Sequence, residues 1–236
     1  MWMRSRAFQK LGGGALERIG IGFVSWFQLA GLAGHKDRAT VRLIRKIRRQ
    51  RRSLILATEA YIVHSMARAA ARLPGDIAEV GVYEGGSAKL ICEVKGERNL
   101  HLFDTFAGLP ESTTHDRAIH NKKQYACSVE SVGKYLAEYP NVFFYPGLFP
   151  DSVPADNARL NEARFSFVHF DVDLYESTLA CLKYFYPRMN PGGVMLSHDY
   201  SILAGVERAF AEFLADKPEG LIDLPTTQCM VIKAPS

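Results

Sequence analysis

From Ser53 onward, short apolar runs alternate with helical stretches, and this alternation limits the fold more than any other feature of the chain. IAEVGVY (77–83), LHLFD (100–104), NVFFYPG (141–147), FSFVHFDVD (165–173) and GGVMLSHDY (192–200) read as strands. GGSAKLICEVK, VESVGKYLAEY, ESTLACLKYFYPRM and LAGVERAFAEFLAD read as helices between and after them. SLILATEAYIVHSMARAAARLPG reads as a long helix ahead of the first strand, stopped by Pro74-Gly75. At the end of the chain, GLIDLP and TTQCMVIK lie too close together for a helical crossover, so they should pair antiparallel. The expected class is α/β, a doubly wound and mostly parallel sheet.

Such a sheet binds ligands at the carboxyl ends of its strands. Five places should therefore converge: Gly81–Ser87, Asp104–Gly108, Gly147, Asp171–Asp173 and His198–Tyr200.

Ahead of this body lies a segment of different character. Residues 1–52 hold thirteen Lys/Arg against Glu17 and Asp37, a net +11, whereas the remainder holds sixteen against 23 acids, a net −7. The expected division is a basic helical extension over 1–52 and one domain over 53–236. Val41, Ile44 and Ile47 recur at helical spacing among the arginines. The apolar run Ile19–Gly34 is short for a membrane span, which needs about 20 apolar residues. The extension is read as packing on the body or on another subunit, with a homo-oligomer expected. Peripheral membrane contact through residues 19–52 is the alternative. Nucleic-acid binding is not expected, since no aromatic residues interleave with the charges. Cys92, Cys127, Cys181 and Cys229 show no metal-ligand spacing and read as reduced thiols of a cytoplasmic protein.

EVGVYEGGS places Glu79, Gly81 and Gly85-Gly86-Ser87 around a strand-to-helix turn. Glycines free the backbone to approach a ligand at a helix N-terminus. The spacing E-x-G-x-x-x-G is not the G-x-G-x-x-G of dinucleotide binders, and no P-loop lysine is present. Asp104 ends the next strand, where a carboxylate accepts hydrogen bonds from a ribose diol. Adenosine without a pyrophosphate grip points to S-adenosylmethionine. The candidate cofactor-binding set is Glu79, Gly81, Val82, Tyr83, Glu84, Ser87, Asp104 and Thr105.

Asp171 and Asp173 close the fourth strand, and His198-Asp199 the fifth. Carboxylates from adjacent strand ends suit Mg²⁺, a hard cation that takes oxygen ligands. Asp171, His198 and Asp199 are the candidate metal ligands, Asp171 is also the candidate catalytic residue, and Asp173 is assigned to the turn into the next helix. Read alone, Asp171-Val172-Asp173 is also a D-x-D motif of a metal-dependent nucleotide-sugar glycosyltransferase. The long polar segment 107–125 is a candidate lid carrying His115, Asp116 and His120.

EVGVYEGGSA, FDTFAGLPE, HFDVDLYESTLACLKYFYPRMNPGGV and SHDY, in this order and spacing, resemble the macrocin O-methyltransferase family over roughly residues 53–233. The resemblance implies a Rossmann-like, seven-stranded class I methyltransferase sheet with an antiparallel last strand. It implies a Mg²⁺-dependent enzyme that methylates a hydroxyl of a sugar, polyol or natural product with S-adenosylmethionine. Glu79, Gly81 and the 84–87 turn would hold the methionine part and Asp104 the ribose. Asp171 and Asp199 fall at metal-binding positions. His198 stands where family members often have a carboxylate.

Overall fold

The computed structural model describes residues 15–111, Asp116 and residues 124–235, with side chains from Ile19 on. Seven strands form one sheet in the order β3-β2-β1-β4-β5-β7-β6. They are β1 (Asp76–Val80), β2 (Leu100–Asp104), β3 (Val142–Pro146), β4 (Phe165–Phe170), β5 (Met189–Ser197), β6 (Ile222–Asp223) and β7 (Cys229–Ile232). β1 to β5 run parallel, and β7 pairs antiparallel with both β5 and β6. The order reverses between β1 and β4, which opens a crevice beyond their carboxyl ends.

The helices are α1 (Ala15–His35), α2 (Arg38–Gln50), α3 (Ala57–Ala70), α4 (Gly86–Cys92), α5 (Val129–Leu136), α6 (Ala158–Glu162), α7 (Tyr175–Phe185) and α8 (Ala204–Leu214). All six residues of β4 are buried because helices cover both faces of the sheet. Ile77, Leu102, Phe167 and Leu196 face Val63 and Ala67 of α3, Ile91 of α4 and Val132 of α5. Ala78, Phe103, Val168 and Phe170 face Leu182 and Phe185 of α7 and Phe210 of α8.

β1 and β5 end earlier than the sequence reading placed them, at Val80 and Ser197, so His198 and Asp199 lie beyond β5. Two further boundaries also differ. Residues 53–56 are not helical, with a bend at Ile55, and the helix begins only at Ala57. Glu59 Oε2 accepts from Leu56 N–H (2.7 Å) and fixes that start, while Arg48 holds Ile55 O (2.6 Å) in the segment before it. β4 stops at Phe170, so Asp171 and Asp173 lie in the loop beyond it, with Asp173 at φ +59°.

The basic extension shares a core with the body. Leu29, Leu32, Val41, Ile44 and Ile47 pack with Ala57, Ala60 and Leu90. Arg51 secures the end of α2 by donating to Ser131 Oγ and O, both at 2.8 Å, and by lying over the Tyr135 ring.

Candidate active site

The five strand ends line one cavity of about 660 Å³. Its wall takes Gly81–Glu84 and Ser87 after β1, Asp104 and Thr105 after β2, Gly147 after β3, Asp171–Asp173 after β4, and Asp199 after β5. The volume lies in the range of small-molecule sites, roughly 300–1,000 Å³. Sequence reasoning missed several wall residues, among them Gly20, Ile21 and Val24 of α1, the non-helical Arg52–Leu56, Glu59 and Thr227. No local pattern announces these residues, because the packing of α1 and α2 on the body is what brings them there.

Gly81 shows why the loop after β1 needs glycine. It sits at φ +87°, and a Cβ there would collide with the carbonyl oxygen of Asp171. Asp171 N–H in turn donates to Val80 O at 2.9 Å. The tips of β1 and β4 thus touch at the reversal point, and the contact positions Asp171.

Asp104 organises the same loop from the side. Its Oδ2 accepts from the N–H groups of Val82 (2.7 Å) and Tyr83 (2.8 Å), and its Oδ1 accepts from Phe106 N–H (2.7 Å). The carboxylate expected to meet a ribose is thus also the anchor of the glycine loop. Glu84 Oε2 accepts from Arg52 N–H at 2.8 Å, tying the loop to the end of the basic extension. Thr105 Oγ1 donates to Gly108 O at 2.7 Å and tightens the next turn. Ser87 lies in the first turn of α4.

Glu79 departs from expectation. It is fully buried in β1 beneath the loop, outside the cavity wall, and His169 Nδ1 donates to its Oε1 at 2.8 Å. Its Oε2 has no partner among the described residues. Burial holds His169 below the usual imidazole range, against the pull of Glu79.

The acids form a tighter group than the sequence suggested. Asp171, Asp173 and Asp199 each offer a carboxylate oxygen within 4.8 Å of the others. All three line the cavity, so their exposure is toward it. Burial, then Asp199 and Glu59, pushes Asp171 well above the ordinary carboxylate range. Burial, then Asp173, does the same for Asp199. Asp173 joins the cluster because left-handed backbone at Asp173 (φ +59°) and Asp199 (φ +61°) turns both chains at the strand ends.

His198, expected among the metal ligands, lines the same cavity but stands outside the group of three acids. The ring is buried, Gln228 Nε2 donates to its Nε2 at 2.8 Å, and it meets the His169 ring edge-on at 5.0 Å. Burial lowers its pKa to about 3, so it is neutral. The cap on α7 also differs: the helix N-cap is Leu174, and Asp116 Oδ1, from the 107–125 segment, accepts from Tyr175 N–H at 2.7 Å. His115 and His120 lie outside the described residues. The base of the segment is closed by Leu109 N–H donating to Gln124 O at 2.8 Å.

This donor set fits a hard divalent cation, since three clustered carboxylates repel one another until a positive charge is shared among them. The cavity above the glycine loop fits a nucleoside-sized ligand by volume.

A family model described as macrocin-O-methyltransferase (TylF) matches residues 61–225. The 8-demethyl-8-(2,3-dimethoxy-alpha-L-rhamnosyl)-tetracenomycin-C 4'-O-methyltransferase of Streptomyces olivaceus is 31% identical over 146 residues, which cover 55% of this chain and 54% of that protein. Mycinamicin III 3''-O-methyltransferase of Micromonospora griseorubida is 31% identical over 150 residues, covering 56% and 58%. The chain thus spans somewhat over half the length of the curated relatives it matches. Among solved structures, the O-methyltransferase NovP superposes with a TM-score of 0.68 at 25% identity, covering 78% of this chain and 82% of that one. The calicheamicin methyltransferase CalS11 superposes at 0.66 with 21% identity, covering 88% and 91%, and supports the fold alone. The glycosyltransferase reading of Asp171-Val172-Asp173 finds no support, as the matched family and relatives are O-methyltransferases.

Proposed function

The chain belongs to the macrocin O-methyltransferase family, and from that premise we propose that it methylates a hydroxyl of a small sugar-bearing or natural-product acceptor. The observation that carries the reading is one cavity walled on one side by the Gly81–Ser87 loop and on the other by Asp171, Asp173 and Asp199. The names of the curated relatives support a sugar hydroxyl as the acceptor group.

In this reading S-adenosylmethionine supplies an electrophilic methyl group, and a divalent cation such as Mg²⁺ makes the acceptor hydroxyl more acidic. The loop from Gly81 to Ser87 and the Asp104–Thr105 turn hold the cofactor. The three aspartates hold the cation, with Asp173 in place of the expected His198. Asp171, in the cluster facing the cavity, takes the acceptor's proton as the oxygen gains the methyl. Displacement at a sulfonium methyl needs little covalent help, so alignment of the two reactants carries most of the catalysis. Gly81 and Asp104 serve that alignment by fixing the backbone around both.

The direct test is calorimetry with S-adenosylhomocysteine, with and without Mg²⁺. Binding in the micromolar range or tighter is expected, and absence of binding in both conditions would defeat the assignment.

A further inference from the structure

α1 is apolar on both sides. Its inward stripe is Ser25, Leu29 and Leu32, all buried. Its outward stripe is Ile19, Phe23, Trp26 and Phe27, which are 68%, 64%, 65% and 54% exposed. Phe27 meets Phe23 edge-on at 4.9 Å and Trp26 at 4.7 Å, so the outer stripe is one continuous aromatic ridge. No charged residue occurs from Ile19 to Gly34. A helix apolar all round is normally covered on every side, and an exposed apolar patch rimmed by polar groups marks an interaction site. This patch also accounts for five of the eight large hydrophobic side chains exposed among the described residues, counting Val24 with the other four.

We propose that this ridge seats the protein on an anionic lipid surface. Charge complementarity selects that occupant. α2 follows α1 directly, buries Val41, Ile44 and Ile47, and leaves Arg38, Arg42, Arg45, Lys46 and Arg49 exposed. Between Lys36 and Arg52 only Asp37 opposes nine Lys/Arg. Anionic headgroups would neutralise this positive charge, whereas a second copy of the chain carries the same charge. Aromatic residues with neighbouring cations are what an interfacial helix presents to a bilayer surface. No helix among the described residues is long and apolar enough to cross a membrane.

The same helix walls the cavity. Gly20, Ile21 and Val24 line it, and Val24 is shared between cavity and exterior at 42% exposure. Docking through the ridge therefore brings the cavity to the lipid boundary, which suits an acceptor with an apolar body. That last point rests on the methyl-transfer reading; the docking does not.

The test is co-sedimentation of the full chain, without cofactor, with vesicles of phosphatidylcholine alone and of phosphatidylcholine mixed with phosphatidylglycerol. The protein should pellet with the mixed vesicles and much less with the neutral ones. The combined Phe23→Ser, Trp26→Ser and Phe27→Ser variant should lose about tenfold or more in partitioning while keeping its circular dichroism spectrum. The Arg42→Glu, Arg45→Glu variant should lose about tenfold on mixed vesicles, since each cation near an anionic surface contributes several-fold. Wild-type protein that stays in solution with mixed vesicles overturns the proposal, as does unchanged binding by the arginine variant. A stable dimer that the aromatic variant converts to monomer also overturns it, because a second copy would then cover the ridge. Protein that binds vesicles but not S-adenosylhomocysteine would defeat the activity and leave the docking standing.

Discussion

At the residue scale, the cavity floor depends on a cluster that is unfavourable by itself. Asp171 and Asp199 are held above the usual carboxylate range, first by burial and then by acidic neighbours. Groups raised in the folded state contribute stability below their unfolded pKa and lose it as pH rises through the folded value. The cation-free protein should therefore gain strain at its floor as pH rises, and added Mg²⁺ should raise the melting temperature more at pH 8 than at pH 6. Asp173→Asn should weaken that response about tenfold while raising the melting temperature of the cation-free protein, both read by scanning fluorimetry. His198→Asn should leave the Mg²⁺ response within a few-fold, because the ring faces Gln228. The sequence was legible at this scale as far as which strand ends converge. Which side chains turn inward was not, because that depends on left-handed φ at Asp173 and Asp199. Nor does spacing reveal that Asp104 ties down the glycine loop as well as facing the cavity.

At the element scale, periodicity identified β1 to β5 and the helices between them, but it erred where tertiary contacts set a boundary. Leu54-Ile55-Leu56 has helical composition yet stays outside the helix, because Glu59 and Arg48 claim its backbone. The helical spacing of Val41, Ile44 and Ile47 marked α2 in the sequence, and these three aliphatics are buried in a core shared with Ala57, Ala60 and Leu90. Ile47, 2% exposed, should cost about 2–5 kcal/mol on replacement by Ala, measured by urea denaturation as a single transition. At the other end of the chain, Lys233 Nζ donates to Glu219 Oε1 at 2.6 Å beside the Tyr186 hydroxyl. Burial opposes ionisation of Glu219, but Lys233, Tyr186 and Ala234 N–H outweigh it and draw its pKa from 4.5 to about 2. That stabilisation is present above pH 4.5 and disappears as pH falls toward 2. Lys233→Met should therefore cost about 1.5–3 kcal/mol at neutral pH and progressively less in acid, checked by denaturation across pH.

At the scale of the whole molecule, the order β3-β2-β1-β4-β5-β7-β6 sets the glycine loop and the first acid at the single reversal of the sheet. The alternation of elements predicted that architecture directly, whereas the role of the basic extension was invisible in it. Residues 15–52 both cover Ala57, Ala60 and Leu90 and supply one wall of the cavity. A chain beginning at Ser53 should therefore aggregate and fail to bind S-adenosylhomocysteine, as judged by light scattering and calorimetry. A different consequence follows from the three backbone N–H groups that converge on Asp104. Those of Val82 and Tyr83 stitch the turn after β1 to the end of β2, and that of Phe106 tightens the turn after β2, before any ligand arrives, so the conformational entropy of ordering these turns is lost during folding. A ligand entering the cavity meets a surface already shaped, and the free energy of contact goes into affinity instead of into arranging the loop.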